Sequence, residues 1–283
     1  MLTDMRASSP ERTPDPRAAP AGAAAAPPLY RLDGVSFRAD GRVLLQPLDL
    51  TLGAGRMIAL IGHNGSGKST LLKLLARQQR PSGGSVRLHG TGLDAWPARD
   101  FARQVAYLPQ HPPLETGMTA RELVALGRYP WRGPFGRLRA DDHARIDEAL
   151  RVTDTLRFGD APVDHLSGGE RQRVWLAMLV AQGASCLLLD EPTSALDIAH
   201  QIEVLRLLRE LTDAQRLTVV IVLHDINLAA RFCDELVALH GGRLLVSGTP
   251  AELMRGDVLE SIYGIPMDIV MHPHSGSRLG VAR

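Results

Sequence analysis

The chain has 283 residues, of which 22% are charged and 45% apolar, and its formal net charge is +1. This length fits one α/β domain with a small insertion and flanking tails. The near-zero charge leaves no basic footprint for nucleic-acid binding, so no nucleic-acid partner is expected. The apolar runs are far shorter than the roughly 20 residues that cross a bilayer, so the chain is not expected to form a membrane pathway. Cys186 and Cys233 each lie in an apolar run, which predicts reduced core residues and is typical of cytoplasm.

Residues 1–28 differ in composition from the rest of the chain. Alanine, proline and arginine dominate them, and residues 21–28 read AGAAAAPP. The segment carries too little apolar bulk to pack, so we expect a disordered tail. A signal peptide is the competing interpretation, but proline and acidic residues interrupt any apolar core after the basic start.

A short apolar run, Met57–Ile61, leads into a glycine-rich segment and then into a helix with one apolar side, Ser69–Arg77. The run predicts a buried parallel strand. A loop between such a strand and a helix N-terminus directs several backbone N–H groups at one point, where the helix dipole adds positive potential. A nucleoside triphosphate is therefore expected to bind there. The predicted phosphate-binding residues are Gly62, His63, Asn64, Gly65, Ser66, Gly67, Lys68, Ser69 and Thr70.

Residues of this phosphate loop have separate predicted roles. Gly62, Gly65 and Gly67 allow the backbone to approach phosphate oxygens closely. Lys68 should reach the β- and γ-phosphates, and the Ser69 hydroxyl should ligate Mg²⁺. The alternative is a glycine-rich turn with a chance lysine, which the strand–loop–helix context disfavours.

Gln110 ends the run Val105–Pro109. Its amide can touch the magnesium ion or the attacking water. A glutamine in a loop is weak evidence by itself, and its position between two stronger motifs gives it weight.

Residues of about 111–165 interrupt an alternation of strands and helices. The alternation predicts a mostly parallel sheet flanked by helices, and the interruption predicts a helical subdomain. Within it, Thr119 and Glu122 form a capping-box pattern at a helix start, and Asp141–Thr155 predicts another helix. Arginines outnumber the nearby acids, and a solvated face would account for most of them. These arginines are Arg121, Arg128, Arg132, Arg137 and Arg139.

A second buried strand, Cys186–Leu189, ends in two adjacent acids. Desolvating neighbouring carboxylates is costly, so packing does not explain them. At the carboxyl edge of a parallel sheet, Asp190 is placed to hold magnesium and Glu191 to polarise the attacking water. The alternative is an ordinary strand end before the Pro192 turn.

His224 follows another apolar run, Leu217–Leu223. A histidine at a strand end is more often structural than catalytic. Since this strand is the next sheet element after the two acids, we favour a role in sensing the γ-phosphate and orienting Glu191. Residues 270–283 carry a Pro-Gly-Ser-rich stretch with His272 and His274, which lack further metal ligands, so a C-terminal tail is expected.

In this order the motifs resemble those of ABC-transporter ATPases, from about residue 29 to residue 269. The motifs that carry the resemblance are the phosphate loop, Gln110, LSGGERQR at 166–173, the strand ending at Glu191, Ser194–Asp197 and His224. The resemblance implies a P-loop NTPase fold of the ABC type. It is an α/β nucleotide-binding domain with the helical insertion and a small antiparallel β part, near Tyr30–Arg38 and Ser85–Leu88. It also implies hydrolysis of ATP with Mg²⁺.

In that family the nucleotide sites are shared between two chains. Ser167, Gly168 and Gly169 would present a hydroxyl and N–H groups, at a helix start near Glu170, to the γ-phosphate held by the other chain. Asp197 would cross the seam between the chains. A homodimer of ATPase subunits is therefore expected.

The chain departs from the family pattern where an aromatic ring usually stacks on adenine. Ala39 or Asp40 occupies that place, and the nearby aromatic residue is Phe37. Phe37 either stacks on the base or belongs to the core.

The segment Gly127–Trp131 resembles importers of iron–siderophore complexes, haem and cobalamin. Longer matches, including 61–68, 106–110, 187–201 and 262–267, are similar to the ferric-hydroxamate (ferrichrome-type) import ATPases. The resemblance implies a peripheral ATPase on the cytoplasmic face of the inner membrane. Its partners would be two integral-membrane permease subunits, or one fused permease, and a periplasmic or surface siderophore-binding protein.

Haem or cobalamin import is the alternative, and a non-transport ABC ATPase is a weaker one. Soluble cassette factors usually carry two cassettes in one chain. Chromosome and repair ATPases would place a long coiled coil between Lys68 and Ser167, which are only 99 residues apart here.

Overall fold

A computed structural model describes residues 28–113, 117–133, 136–194 and 196–283. The strands are β1 (Pro28–Ala39), β2 (Arg42–Gly53), β3 (Met57–Ile61), β4 (Gly83–Leu88), β5 (Thr91–Gly92), β6 (Val105–Leu108), β7 (Cys186–Leu189), β8 (Thr218–Val222), β9 (Glu235–His240), β10 (Arg243–Gly248), β11 (Met267–Met271) and β12 (Arg278–Ala282). The helices are α1 (Lys68–Leu75), α2 (Ala98–Gln104), α3 (Ala120–Leu126), α4 (Tyr129–Arg132), α5 (Ala140–Val152), α6 (Gly168–Gln182), α7 (Ile198–Gln215), α8 (Ile226–Phe232), α9 (Pro250–Leu253) and α10 (Gly256–Tyr263). Short 3₁₀ turns lie at Leu93–Ala95, Leu156–Phe158 and Val163–His165.

The central sheet, as far as the described residues show it, has six strands in the order β10-β9-β3-β8-β7-β6. Its pairs are parallel except β9 with β10. Strands β3, β7 and β8 are buried along their whole length, which explains their unbroken apolar sequences. Because parallel strands end at the same edge, the segments after β3, β6, β7 and β8 meet there, and these segments carry most of the predicted site.

A smaller antiparallel sheet, β2-β1-β4-β5, covers one side of the domain. Its strands β1 and β4 confirm the antiparallel part expected near Tyr30–Arg38 and Ser85–Leu88. The core divides into two apolar clusters on the two faces of the central sheet. Alternate residues of β3 enter different clusters, Ala59 into one and Ile58 into the other, as the two-residue period of a strand requires.

The inserted segment is helical, as expected. Thr119 caps α3, and its hydroxyl accepts a hydrogen bond from the Glu122 backbone N–H at 3.2 Å while the Glu122 carboxylate accepts from the Thr119 N–H at 2.8 Å. Helix α5 ends at Val152 rather than Thr155, because Asp154 adopts a left-handed backbone with φ of 52°. No helix within the described ranges combines the length and apolarity of a membrane span.

The C-terminal segment differs from the expected tail. Residues 278–282 form β12, which pairs antiparallel with β11, so an ordered hairpin continues past the expected domain end at Ile269. The Pro-Gly-Ser-rich stretch is its turn, closed by a hydrogen bond from the Gly276 N–H to the His272 carbonyl at 2.9 Å. The Pro-Gly-Ser composition suggested a tail, but it belongs to the turn between two β-strands, so the prediction of a tail was wrong. The predicted N-terminal tail lies outside the described residues, apart from Pro28 in β1.

Candidate nucleotide-binding and hydrolysis site

The phosphate loop runs from the end of β3 into α1, as its sequence predicts. Gly62 and Gly67 have φ of 136° and 103°, which side chains rarely adopt. A Cβ atom on Gly62 would lie 2.1 Å from the Leu239 carbonyl oxygen. The first N–H groups of α1 have no carbonyl partner within the helix, so they are available to an anion at the loop.

Lys68 lies over its own loop. Its ammonium donates hydrogen bonds to the carbonyls of Gly62 and His63, both at 2.9 Å, and the residue is only 4% exposed. Burial lowers the pKa of Lys68, and the nearby carboxylates of Glu191 and Asp190 oppose that change. The cation is therefore held at the loop and faces both acids.

Ser69 and Asp190 meet at the start of α1. The Ser69 hydroxyl donates to Asp190 Oδ1 at 2.7 Å, although the residues lie 121 positions apart. Asp190 is 2% exposed, and burial raises its pKa while the bond from Ser69 lowers it. Hydroxyl and carboxylate oxygens are ligands that Mg²⁺ prefers, so this pair fits a magnesium site.

Glu191 is held from two sides. Gln110 Nε2 donates to Glu191 Oε2 at 2.6 Å, and His224 Nε2 lies 2.8 Å from Glu191 Oε1. The backbone of Glu191 has φ of 50°, a left-handed conformation that aims the side chain out of the strand end. Three residues predicted from separate motifs thus form one cluster.

These groups border a cleft of about 350 Å³. The predicted site residues that line it are Asn64, Gly65, Ser66, Gly67, Lys68, Ser69, Thr70, Gln110, Glu191 and His224. His63 points elsewhere, and its ring lies 4.7 Å from that of His240. A larger depression of about 480 Å³ between β2 and β10 contains none of the predicted residues.

Two residues escaped the sequence analysis, one that lines the cleft and one that lies beside Asp190. Leu44 lines the cleft and is 39% exposed, whereas Phe37 packs against an apolar cluster of the core. Tyr107 lies near Asp190, and burial, followed by the charge of Asp190, raises its pKa to about 12. The alternation of β6 could have indicated that Tyr107 shares a face of the sheet with the site, but residues 42–44 of β2 are all exposed, so alternation does not place Leu44.

The LSGGERQR segment starts a helix, as predicted, but at Gly168 rather than Glu170. Ser167 caps α6, and its hydroxyl donates to Glu170 Oε2 at 2.7 Å. That bond lowers the pKa of Glu170. Ser167, Gly168 and Gly169 do not line the cleft of their own chain.

Asp197 lies close to this helix start. It caps α7, accepting a hydrogen bond from the His200 N–H at 2.9 Å. The His200 ring in turn packs on Gly169, where a Cβ atom would approach it to 3.1 Å. Nothing in the sequence indicated this role of His200. The adjacent Ile198 is 74% exposed, a large apolar side chain facing outward.

Comparisons with known proteins agree with this geometry. The family model described as "ABC transporter" matches residues 45–194. The iron(3+)-hydroxamate import ATP-binding protein FhuC of Bacillus subtilis is 43% identical, over 83% of this chain and 87% of its own length. The hemin import ATP-binding protein HmuV of Rhodococcus jostii is 41% identical, over 95% of this chain and 89% of its own.

Solved structures show the same fold. An inward-facing putative metal-chelate type ABC transporter aligns with a TM-score of 0.79 and 26% identity, over 90% of this chain and 98% of that chain. The dimeric bacterial ABC transporter cassette MJ0796 aligns with a TM-score of 0.70 and 27% identity, over 78% and 98%. The chain belongs to the ABC transporter family, as an ATP-binding and ATP-hydrolysing subunit with the α/β nucleotide-binding fold of that family.

Proposed function

We propose that this ATPase energises uptake of an iron(III)–siderophore complex of the hydroxamate type across the inner membrane. The observation that carries the proposal is the 43% identity to a hydroxamate import ATPase over most of both chains. The cleft supplies the chemistry, and the cargo itself would pass through other subunits.

Binding would rest on the phosphate loop. Lys68 would exchange its bonds to Gly62 and His63 for the β- and γ-phosphates of ATP. The oxygens of Ser69, Asp190 and Gln110 fit a magnesium ion, which supplies positive charge to the phosphate oxygens when bound. Leu44 is the exposed apolar side chain at the cleft and would offer a surface for the base, whereas the partly buried Phe37 packs against the core and does not line the cleft.

Hydrolysis would rest on Glu191. Its carboxylate would orient the attacking water and accept its proton, because it stands at the strand end beside the loop. His224 and Gln110 each hold one carboxylate oxygen, so they would fix its direction. This arrangement is a positioned base supported by two neighbouring side chains.

A homodimer would complete each site. The helix start at Ser167, Gly168 and Gly169 is capped and ordered but stands outside its own cleft. Together with Asp197, it would face the phosphate loop of the second chain. The dimeric cassette of the same fold supports this arrangement.

The helical subdomain, about 111–165, would contact the membrane partners. Its helix α4 exposes Tyr129 by 56% and Trp131 by 39%. Exposed aromatic residues favour a protein interface. We propose two permease subunits, or one fused permease, a periplasmic or surface siderophore-binding protein, and a location at the cytoplasmic face of the inner membrane.

The hydrolytic role is tested by Glu191→Gln. The variant should bind ATP normally and turn it over about 10²–10⁴-fold more slowly, the usual effect of a positioned base. Equilibrium binding and phosphate release are measured, with Glu210→Gln on the exposed side of α7 as the control. Near-normal turnover in Glu191→Gln would contradict the role.

The cargo is tested in cells that lack the gene. Uptake of ⁵⁵Fe-labelled ferric hydroxamate should stop, and it should return with the wild-type chain but not with Glu191→Gln. Undiminished hydroxamate uptake in the deletion strain would overturn the cargo assignment.

Haem is the second candidate cargo. The haem relative aligns over 95% of this chain, against 83% for the hydroxamate relative. In the same strains, loss of haem uptake with hydroxamate uptake unchanged would assign the chain to haem.

A further inference from the structure

The C-terminal hairpin, β11 with β12, is fastened to the helix that follows His224. The Asn227 side chain spans the contact in both directions. Its Nδ2 donates to the Gly280 carbonyl at 3.1 Å, and its Oδ1 accepts from the Gly280 N–H at 2.8 Å. The side-chain amide of Asn227 in α8 thus binds both backbone polar groups of Gly280 in β12.

The packing at this contact is close. Gly280 is buried, and a Cβ atom there would lie 2.7 Å from Leu259 Cδ1 and 3.6 Å from Ile226 Cγ2. A side chain at residue 280 would therefore collide first with Leu259 of α10, whereas its distance to Ile226 of α8 is that of an ordinary van der Waals contact. Glycine leaves room for Leu259 at the place where β12 meets α8 and α10.

The first turn of α8 determines where His224 stands. The residue before His224 is fixed to the sheet, because the Leu223 N–H donates to the Leu60 carbonyl at 3.2 Å. On its other side, Asp225 caps α8 by accepting from the N–H groups of Asn227 and Leu228, at 2.7 and 3.1 Å. The short link that carries His224 is thus held at one end by the sheet and at the other by α8.

The imidazole of His224 is partly open to solvent. Its side chain is 43% exposed, and its Nε2 lies 2.8 Å from Glu191 Oε1. Its direction therefore depends on the backbone that carries it, and so on the placement of α8.

We propose that Asn227 is a positioning residue for hydrolysis: by fastening α8 to the C-terminal hairpin it holds His224 against Glu191. The inference rests on the proposed role of His224 in turnover. It gives the hairpin a part in the chemistry although no residue of the hairpin lines the cleft.

The test is a double-mutant cycle in the full-length chain. Asn227→Ala should lower kcat about 10-fold, since small misplacements near a reacting centre have effects of this order or larger. The equilibrium affinity for ATP should not change, because Lys68 and its loop lie on β3 and α1. In a His224→Ala background the same substitution should have almost no further effect on kcat, because the residue through which it acts is gone.

Two further variants define the contact. Asn227→Leu keeps a side chain of similar size and removes both hydrogen bonds to Gly280, and it should reproduce the loss of kcat and its dependence on His224. Asp268→Ala is the matched control, since it removes the Asp268–Arg283 ion pair within the hairpin and leaves α8 untouched. It should keep the wild-type kcat.

A spectroscopic reading covers the case in which His224→Ala has no measurable turnover. The ring-proton resonance of His224 should move in Asn227→Ala and Asn227→Leu, and stay in place in Asp268→Ala. A wild-type kcat in Asn227→Ala, an equal loss in both backgrounds, or an unmoved resonance overturns the inference. If His224→Ala itself keeps full turnover, the proposed role of His224 fails first and the inference fails with it.

Discussion

At the scale of single residues, Glu191 combines an unfavourable backbone with a held carboxylate. Its φ of 50° lies in the left-handed region, where an ordinary side chain costs about 1–2 kcal/mol. Gln110 and His224 contact its two carboxylate oxygens. The conformation thus directs the carboxylate into the cleft at the expense of stability, which is common at functional positions.

The left-handed backbone at residue 191 predicts which of two variants is the more stable. Asparagine tolerates the left-handed conformation better than alanine does, so Glu191→Asn should exceed Glu191→Ala in free energy of unfolding by roughly 1 kcal/mol. Denaturant unfolding of the nucleotide-free variants measures the difference.

The control is Glu210, an exposed residue within α7. Alanine is the better helix former there, so Glu210→Ala should be more stable than Glu210→Asn. The same order at both positions would mean that the backbone of Glu191 is not strained.

At the scale of elements, a buried ionic cluster joins the helices of the inserted segment. Asp142 in α5 is fully buried and accepts hydrogen bonds from Arg128, at 2.9 Å, and from Arg132 in α4. Arg128 also donates to the Ala181 carbonyl at 2.7 Å, near the end of α6. The guanidinium carbons of Arg103 and Arg128 each lie over the Trp131 ring, 4.9 and 5.3 Å from its centre. Helix α6, which Ser167 caps, is thereby tied to α4.

Asp142 gives a prediction with a definite dependence on pH. Burial alone would raise its pKa, but hydrogen bonds led by that from Arg132 lower it well below its usual range. A depressed native pKa contributes stability that is present above the unfolded value, near pH 4, and is lost as the pH falls through the native value. Asp142→Asn should therefore lower the free energy of unfolding at pH 7 by about 3 kcal/mol, because two arginines lose their counter-charge.

The same variant should lose less stability on acidification than the wild type does. Denaturant unfolding at pH 7 and at pH 3 measures both effects. Asp147→Asn on the same helix is the control, since Asp147 forms an exposed pair with Arg121 and its loss should cost less than about 1 kcal/mol. Equal losses in free energy of unfolding for the two variants would show that the buried cluster stabilises the fold no more than an exposed ion pair does.

The sequence predicted the elements better than the contacts between them. Strand, loop and helix around Lys68 follow from local pattern, and so does the cap at Thr119. Gln110 and Glu191 are hydrogen-bonded although they lie 81 positions apart, and no local sequence pattern predicts a contact over that distance. Arg128 was expected on a solvated face and is 4% exposed instead, because its partner Asp142 arrives from another helix.

At the scale of the whole molecule, the order of the strands in the central sheet determines which residues come together in the site. Strands β3, β8, β7 and β6 are neighbours, and each delivers its part of the site at the same edge. The two apolar clusters hold this sheet from both faces. The start of α6, which Ser167 caps, does not line the cleft, so in the proposed dimer it would act on the cleft of the second chain.

A crosslink between two chains tests that arrangement. One chain carries Asn64→Cys, at an exposed position of the phosphate loop, and the other carries Gly168→Cys, where a Cβ atom meets open space. Both carry Glu191→Gln to slow hydrolysis. A short thiol crosslinker should join them when ATP and Mg²⁺ are present, and gel electrophoresis detects the product.

Cys186 and Cys233 are buried, so they should not react in the folded chain. Asn64→Cys paired with Glu210→Cys is the control and should not crosslink. A product within a chain carrying both Asn64→Cys and Gly168→Cys, or equal crosslinking without nucleotide, would reject the shared site.

Hydrogen bonds between residues of the cleft compete with ligands for the same polar groups. Lys68 is bonded to two carbonyls of its loop, and Ser69 to Asp190. A phosphate that takes Lys68 leaves the carbonyls of Gly62 and His63 without their donor, and a cation that takes Asp190 must replace the bond from Ser69, so each exchange costs free energy that the ligand has to offset. We therefore expect free phosphate or free Mg²⁺ to bind the nucleotide-free chain more weakly than the metal-bound triphosphate, which would offer partners to both sets of groups at once.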